Sequence, residues 1–324
     1  MATTYYVDPA HGGTDSGTLT NPWTSLQSAA DTAVAGDTVY CTGTQTLAAA
    51  IDFDTNSGDT TAGFIKFIGC DASWTPKAAQ FTLDGNSAAT SCIALTCNYV
   101  WFESFTATGA TSNGIYRADA SSCLVFVDCI SESNGAGGFS LYAIQQLLLI
   151  RCIARNNGGH GFADVYNNVT CFGCYLYNNT GMGVQQGPGR YSLCLLGCVV
   201  ACNGSTQVDI GLTGILLNCV IDGEDDTTSG SGVLLSGSLT AVLGCRITHN
   251  DAAGKYGIES AAAASCCVEN WNAFYDNTTN IDTGIESLGD SDTSMADDGY
   301  AARATQDYNV ATGKDLRSVA VEVT

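Results

Sequence analysis

The residues best placed by type and spacing to do chemistry are charged ones that recur beside regularly spaced cysteines. Asp128 precedes Cys129 and Arg151 precedes Cys152, while Glu132 and Arg155 follow the same cysteines by three. Glu103 precedes Ser104 in the same way, Tyr177 lies three after Cys174, and His160 and Asp164 come soon after Arg155. If these side chains faced one groove, Asp128 and Glu132 would be an acid pair. One carboxyl would protonate a leaving oxygen and the other would act as base or nucleophile, which requires a separation of about 5–9.5 Å. Arg155, Tyr177, His160 and Asp164 would then hold a sugar. The competing reading is plainer and the spacing favours it: opposite charges on neighbouring strands form surface ladders worth a few tenths of a kcal/mol, roughly, per pair.

Other polar groups offer less. Asp222-Gly223-Glu224-Asp225-Asp226 supplies oxygens for a hard cation but lacks a spaced ligand pattern, so it reads as a solvated turn. His11, His160 and His249 stand far apart. Cys171 with Cys174, and Cys194 with Cys198, point differently along a strand, which argues against zinc. Cys266-Cys267 reads as one inward and one outward residue rather than a redox pair. No metal and no cofactor is expected.

What must position these groups is a repeat. The segments LVFVDCISESN, LLLIRCIARNN, VTCFGCYLYNN, LCLLGCVVACN, GILLNCVIDGE and TAVLGCRITHN align on Cys129, Cys152, Cys174, Cys198, Cys219 and Cys245. The cysteine recurs after 23, 22, 24, 21 and 26 residues, and five positions later stand Asn134, Asn157, Asn179, Asn203, Glu224 and Asn250. Ser104 and Asn272 fit as degenerate outer copies. Alternation with period two places positions −2, 0 and +2 around the cysteine on one strand face. A single strand buries nothing alone, so the copies must stack, with neighbouring strands roughly 4.8 Å apart. Equivalent residues then form ladders, of thiols inside and of asparagines at a turn. Asparagine also tolerates the left-handed conformation that a corner needs.

Composition sets the outer limits. The chain has 324 residues, 45% apolar and only 13% charged, with 37 Gly and 4 Pro. That excludes a coiled coil, a helix bundle and a disordered tail. The 11 Lys+Arg against 32 Asp+Glu give a net charge of −21. Nucleic acid and anionic lipid both need a basic face, so neither is an expected partner. A polyanionic substrate would need bridging cations. No apolar run reaches the ~18 residues of a membrane span, and the start Met1-Ala2-Thr3-Thr4-Tyr5-Tyr6 lacks the pattern of a signal peptide. The 16 cysteines then read as reduced, buried thiols of a chain made in a cytoplasm. An extracellular location is the alternative.

The N-terminal stretch predicts a helix from Asn21 as cap and Pro22 as first residue, with Leu26, Ala29, Ala30 and Ala33 on one face and Gly36 as its end. Tyr5-Tyr6-Val7-Asp8, Gly12-Gly13 to Gly17-Thr18, Asn21-Pro22-Trp23 and Gly36-Asp37-Thr38-Val39 together resemble the opening segment of right-handed parallel β-helix proteins, the pectate-lyase-like superfamily. The expected fold is therefore all-β: a right-handed parallel β-helix solenoid. Residues 1–41 would form the opening segment and capping helix, 42–280 the coils, and 281–324 a linker and C-terminal capping or assembly segment. Enzymes of this superfamily are lyases with a strong base and calcium, or hydrolases with carboxylates. The shortage of bases favours a glycoside hydrolase over a polysaccharide lyase, if there is activity at all.

One stripe points elsewhere. Position +1 holds Ile130, Ile153, Tyr175, Val199 and Val220, and position −3 holds Phe126, Leu149, Cys171, Leu195, Leu216 and Val242. With both read as outward, the strand stack is apolar on both faces and must be covered. The arrangement resembles phage tailspikes and fibres in which β-helices pack side by side. The resemblance implies a virion protein, structural or receptor-facing: a spike, fibre or capsid-decoration component. Its expected partners are itself, as a homotrimer, other virion proteins, and cell-surface polysaccharide. A carbohydrate-active enzyme is the second reading.

Overall fold

A computed structural model describes residues 2–117, 121–142, 144–163, 168–186, 192–223, 230–237, 239–250, 255–261, 266–283, 285, 292–294, 300–302 and 307–310. It is an all-β parallel β-solenoid in two compact units, Met1–Val169 and Thr170–Thr324. Each coil contributes one short strand to each of three parallel sheets. In the first unit, Ser121–Val127, Ile130–Glu132 and Phe139–Leu141 make one coil, and Ile144–Ile150, Ile153–Arg155 and Phe162–Ala163 the next. In the second unit, Ser192–Leu196, Val199–Ala201 and Val208–Ile210 precede Thr213–Leu217, Val220–Asp222 and Val233–Leu235. Registers are gapless: Ile130 pairs with Ile153, and Tyr175 with Val199, which in turn pairs with Val220.

The cysteine ladder is present. Cys129, Cys152, Cys174, Cys198, Cys219 and Cys245 are all buried and unbridged. Their thiols donate to carbonyls, as Cys129 Sγ does to Val127 O at 3.4 Å and Cys219 Sγ to Leu195 O at 3.4 Å. Burial and contact with Cys174 push the Cys198 thiol up to about 12. The earlier degenerate copy is shifted by one from the expected register. Thr106 pairs with Ile130, so the residue level with Cys129 is Phe105, and Ser104 sits one place before the ladder.

The strand does not run straight through the cysteine. The residue before it bends the chain through the left-handed region: φ is +58° at Ser104, +52° at Asp128, +51° at Arg151, +53° at Asn218 and near +60° at Gly173, Gly197 and Gly244. One residue of opposite hand at this corner shifts the alternation on its N-terminal side. Position −3 therefore faces inward and −2 outward, reversing the sequence expectation. Phe126, Leu149, Cys171, Leu195, Leu216 and Val242 are buried core, whereas Phe172 and Leu217 are exposed. In the first unit this inward row includes an aromatic stack, with Phe102 parallel to Phe67 at 5.3 Å and to Phe126 at 5.5 Å.

The asparagine ladder closes the second corner. Asn134 Nδ2 donates to Asn157 Oδ1 at 3.0 Å, Asn179 Nδ2 to Asn203 Oδ1 at 2.9 Å, and Asn250 Nδ2 to Asn277 Oδ1 at 2.8 Å. The left-handed residue is the one before each asparagine: Ser133, Asn156, Asn178, Cys202 and His249 all have positive φ. The ladder asparagines are selected for hydrogen bonding, not for backbone permissiveness. Glu224, their counterpart in one coil, lies outside the described residues.

The helix α1 spans Leu26–Thr32, with Ser25 rather than Asn21 as its cap, the Ser25 side chain accepting from Gln27 N. Residues 21–23 are taken by the sheet instead, Trp23 N donating to Tyr6 O at 2.9 Å and Asp8 N to Trp23 O at 2.8 Å. Leu26, Ala29, Ala30 and Ala33 are buried as expected. Helix side chains also satisfy open strand edges. Gln27 gives and receives hydrogen bonds with the Asp52 backbone at 2.8 Å, and Gln45 Oε1 accepts from Leu26 N at 2.9 Å. Such covering blunts an edge that would otherwise template further pairing. At the other end, Tyr300–Ala302 and Asp307–Val310 form an antiparallel pair. Most of the anticipated C-terminal capping segment, 281–324, lies outside the described residues.

Candidate functional site

The candidate acid pair lies on the outer side of the first corner and second sheet. Asp128 occupies the corner and Glu132 ends the strand Ile130–Glu132. Neither carboxylate is left open. Arg151 grips Asp128 with two hydrogen bonds of 2.6 Å, from Nε to Oδ1 and from Nη2 to Oδ2. Arg155 Nε donates to Glu132 Oε2 at 2.5 Å. The Asp128 contact holds the Arg151 guanidinium above its ordinary value. The repeat thus brings together two oppositely charged pairs on successive coils, and each acid faces a base rather than the other acid. Glu103, at −2 once the register is corrected, is buried and bound by Lys77 Nζ at 2.7 Å and Trp101 Nε1 at 3.3 Å.

The proposed sugar-binding residues are placed as follows. Arg155 is half-buried beside Glu132. His160 is half-buried in the turn before the strand Phe162–Ala163, its carbonyl accepting from Gly138 N at 2.9 Å. Asp164 lies outside the described residues. Tyr177 belongs to the second unit, half-buried at the end of Tyr175–Tyr177. Of the apolar row, Ile130, Ile153 and Val220 are half-buried, Val199 is buried and Tyr175 is 46% exposed.

Two polar clusters escaped the sequence reading. Asp222 and His249 are both buried, with Asp222 Oδ1 receiving Thr248 Oγ1 and meeting His249 Nδ1, each at 2.7 Å. The expected solvated turn does not hold for Asp222, which is fully buried; residues 224–226 of that loop lie outside the described residues. Its partner was hidden because His249 is one coil away and displaced by one position. The second cluster is Glu269 and Asp292, near the end of the second unit. Among the described residues no group of three or more candidate ligands is placed to hold a metal ion.

An exposed apolar surface lies on the outer face of the first sheet in the second unit. Phe172, Ile215 and Leu239 are 54%, 48% and 55% exposed, and Leu217 and Val268 are also exposed. A shallow groove of about 450 Å³ runs between Cys194, Ile215, Leu239, Ala241 and Val268. No described outward residue on this face, from Thr170 to Asn270, carries a charge. The equivalent face of the first unit is overlaid in part by residues 71–80. There Trp74 meets Tyr6 edge-on at 5.0 Å, Lys77 pairs with Glu103, and Gln80 Nε2 donates to Asp128 O at 3.0 Å. No helix among the described residues is long and apolar enough to cross a membrane.

Comparison with known proteins agrees with this architecture. Residues 83–240 match the family described as right handed beta helix region. No curated protein matches in sequence. Among solved structures, the pectate lyase Pel9A is similar at 16% identity and a TM-score of 0.61, over 91% of this chain and 76% of its own. The A-module of the mannuronan C-5 epimerase AlgE6 of Azotobacter vinelandii is similar at 17% identity and 0.52, over 81% and 91%. An N-terminal fragment of gene product 12 of bacteriophage Phi29 is a more distant likeness at 13% and 0.44, over 80% and 62%. At these identities the likeness is one of fold. By its repeat region and its stacked, ladder-lined coils, this chain has the fold of a right-handed parallel β-helix.

Proposed function

We propose that the chain is a structural, receptor-facing β-helix of the virion spike, fibre or decoration type, associating with copies of itself, as a homotrimer, and with other virion proteins. The observation that carries this reading is the uncharged, exposed outer face of the first sheet between Phe172 and Val268. An apolar sheet face of this extent marks an interaction surface. In the first unit residues 71–80 lie over part of the corresponding face, and no such cover lies on the second unit's face among its described residues. The Arg151–Asp128 and Arg155–Glu132 pairs fit a solvated ladder with surface glycans as weak ligands. Light scattering on the purified chain tests association: a trimer supports the reading, and a clean monomer at micromolar concentration removes it.

The second reading, a carbohydrate-active enzyme, is favoured by the fold likeness to a pectate lyase over most of the chain. In it Asp128 and Glu132 act as the acid pair, with Arg155, Tyr177, His160 and Asp164 holding the glycan, and glycoside hydrolysis is preferred to elimination. A depolymerisation screen over neutral and cationic glycans, with Asp128→Asn and Glu132→Gln alongside, decides it. Cleavage by the wild type that disappears in both variants would establish the enzyme.

A further inference from the structure

The final described coil breaks the pattern of the core it closes. In the second unit the inward residue three before the ladder is Cys171, Leu195, Leu216 or Val242; in the last coil it is Glu269, just as fully buried. The ladder residue there is Asn272. Its Oδ1 accepts from Cys245 N at 2.9 Å, and its Nδ2 donates to Val242 O at 3.0 Å and to Glu269 Oε2 at 3.3 Å. Thr293 and Ser294 pair in register with Ala273 and Phe274, which stands Asp292 at the next ladder position. Asp292 Oδ1 accepts from Asn272 N at 2.7 Å, and its carboxyl hydrogen-bonds the carboxyl of Glu269.

We propose that Asp292 and Glu269 form a proton-sharing acid pair that latches residues 292–294 onto the end of the buried stack, closed in acid and loosened toward neutral pH. Two carboxyl groups in hydrogen-bond contact require a proton between them, because both cannot ionise at that distance without a large repulsion. Among the described residues, the groups facing Asp292 are Glu269 and the side-chain and backbone amides of Asn272. Cys245, one coil back, is the nearest ladder thiol. Burial and the Glu269 contact raise Asp292 from 3.8 to about 7.

The sign follows from proton counting. Once released, Asp292 returns to its ordinary value, so the closed form holds the extra proton between about pH 4 and 7. Closure is strongest below that window, weakens as pH rises through it, and is level above it. Hydrogen exchange of the intact chain between pH 4.5 and 8 measures this, with rates at 292–294 referenced to the strand Thr213–Leu217. The opening constant should climb by up to about tenfold per pH unit to pH 7 and then flatten. Asp292→Asn keeps an acceptor that cannot ionise and should erase the slope; Glu269→Gln removes the second charge and should shrink it. A wild type whose opening ignores pH, or an Asp292→Asn variant that keeps the wild-type slope, overturns the latch. Asp292 is only half-buried, so its variant decides the matter even if Glu269→Gln fails to fold.

Discussion

The interior of this solenoid is held by side chains too small or too well bonded to leave gaps. The ladder level takes Phe81 and Phe105 in two coils of the first unit, in register with ring centroids 5.2 Å apart, and in later coils a thiol, which behaves as a small hydrophobe. Burial also disarms it. A hydrogen bond with the Cys174 thiol, together with burial, pushes Cys198 up to about 12, so little of it is thiolate at pH 8. Cys92 and Cys97 are raised to about 11 by burial. Brief alkylation of the native chain at pH 8, read by peptide mass, should mark the half-buried Cys123, Cys194 and Cys202 first and spare the ladder until urea is added. Prompt labelling of Cys198 or Cys219 would show that the ladder is open. Asparagine makes the stronger demand. Asn203 accepts the Asn179 N–H at 3.1 Å and its Nδ2 donates to Leu176 O at 3.1 Å and Gln207 Oε1 at 2.8 Å. Asn203→Ala leaves buried partners unsatisfied, and urea unfolding should register a loss of about 2–4 kcal/mol.

Each element is two to seven residues long, so its identity depends on what ends it. The cysteine and asparagine repeats were legible because ladders force equivalent positions to carry equivalent residues. The corner was not legible. Asp128, Arg151 and Asn218 have nothing in common but a left-handed backbone, and an alternation read straight through them inverts the face of everything upstream. That one residue turned Leu195 and Leu216 into an imagined outer stripe and concealed Leu217 and Phe172. The Asp222–His249 pair was invisible for a related reason: its members meet only through the offset between successive coils. Asn218 offers the cleanest test of the corner, being exposed, with φ of +53°. Asn218→Val places a branched Cβ in the left-handed region and should cost about 2 kcal/mol. Asn218→Gly relieves the backbone while loosening the unfolded chain, and should stay within about 0.5 kcal/mol of wild type. Equal effects of the two substitutions would refute the corner assignment.

At the scale of the molecule, a chain with net charge −21 meeting its own copies must overcome repulsion that an uncharged face does nothing to offset. Attraction across that face has to come from burying Phe172, Ile215, Leu217, Leu239 and Val268, worth about 25 cal/mol per Å² of apolar surface. The two contributions respond to salt differently. Raising ionic strength from about 0.02 to 0.5 M shortens the Debye length from tens of ångströms to a few and screens the repulsion, while apolar burial is unaffected or strengthened. Self-association through this face should therefore tighten with added salt, whereas assembly by ion pairs such as Arg151–Asp128 should weaken. Ile215→Asp and Leu217→Asp place a carboxylate on the face without touching the inward Leu216, so folding should persist. Sedimentation of wild type and both variants across that salt range separates the cases. Wild type moving toward trimer with salt, and either variant remaining monomeric, assigns the interface to the first sheet; a trimer that ignores both substitutions moves it elsewhere on the coil.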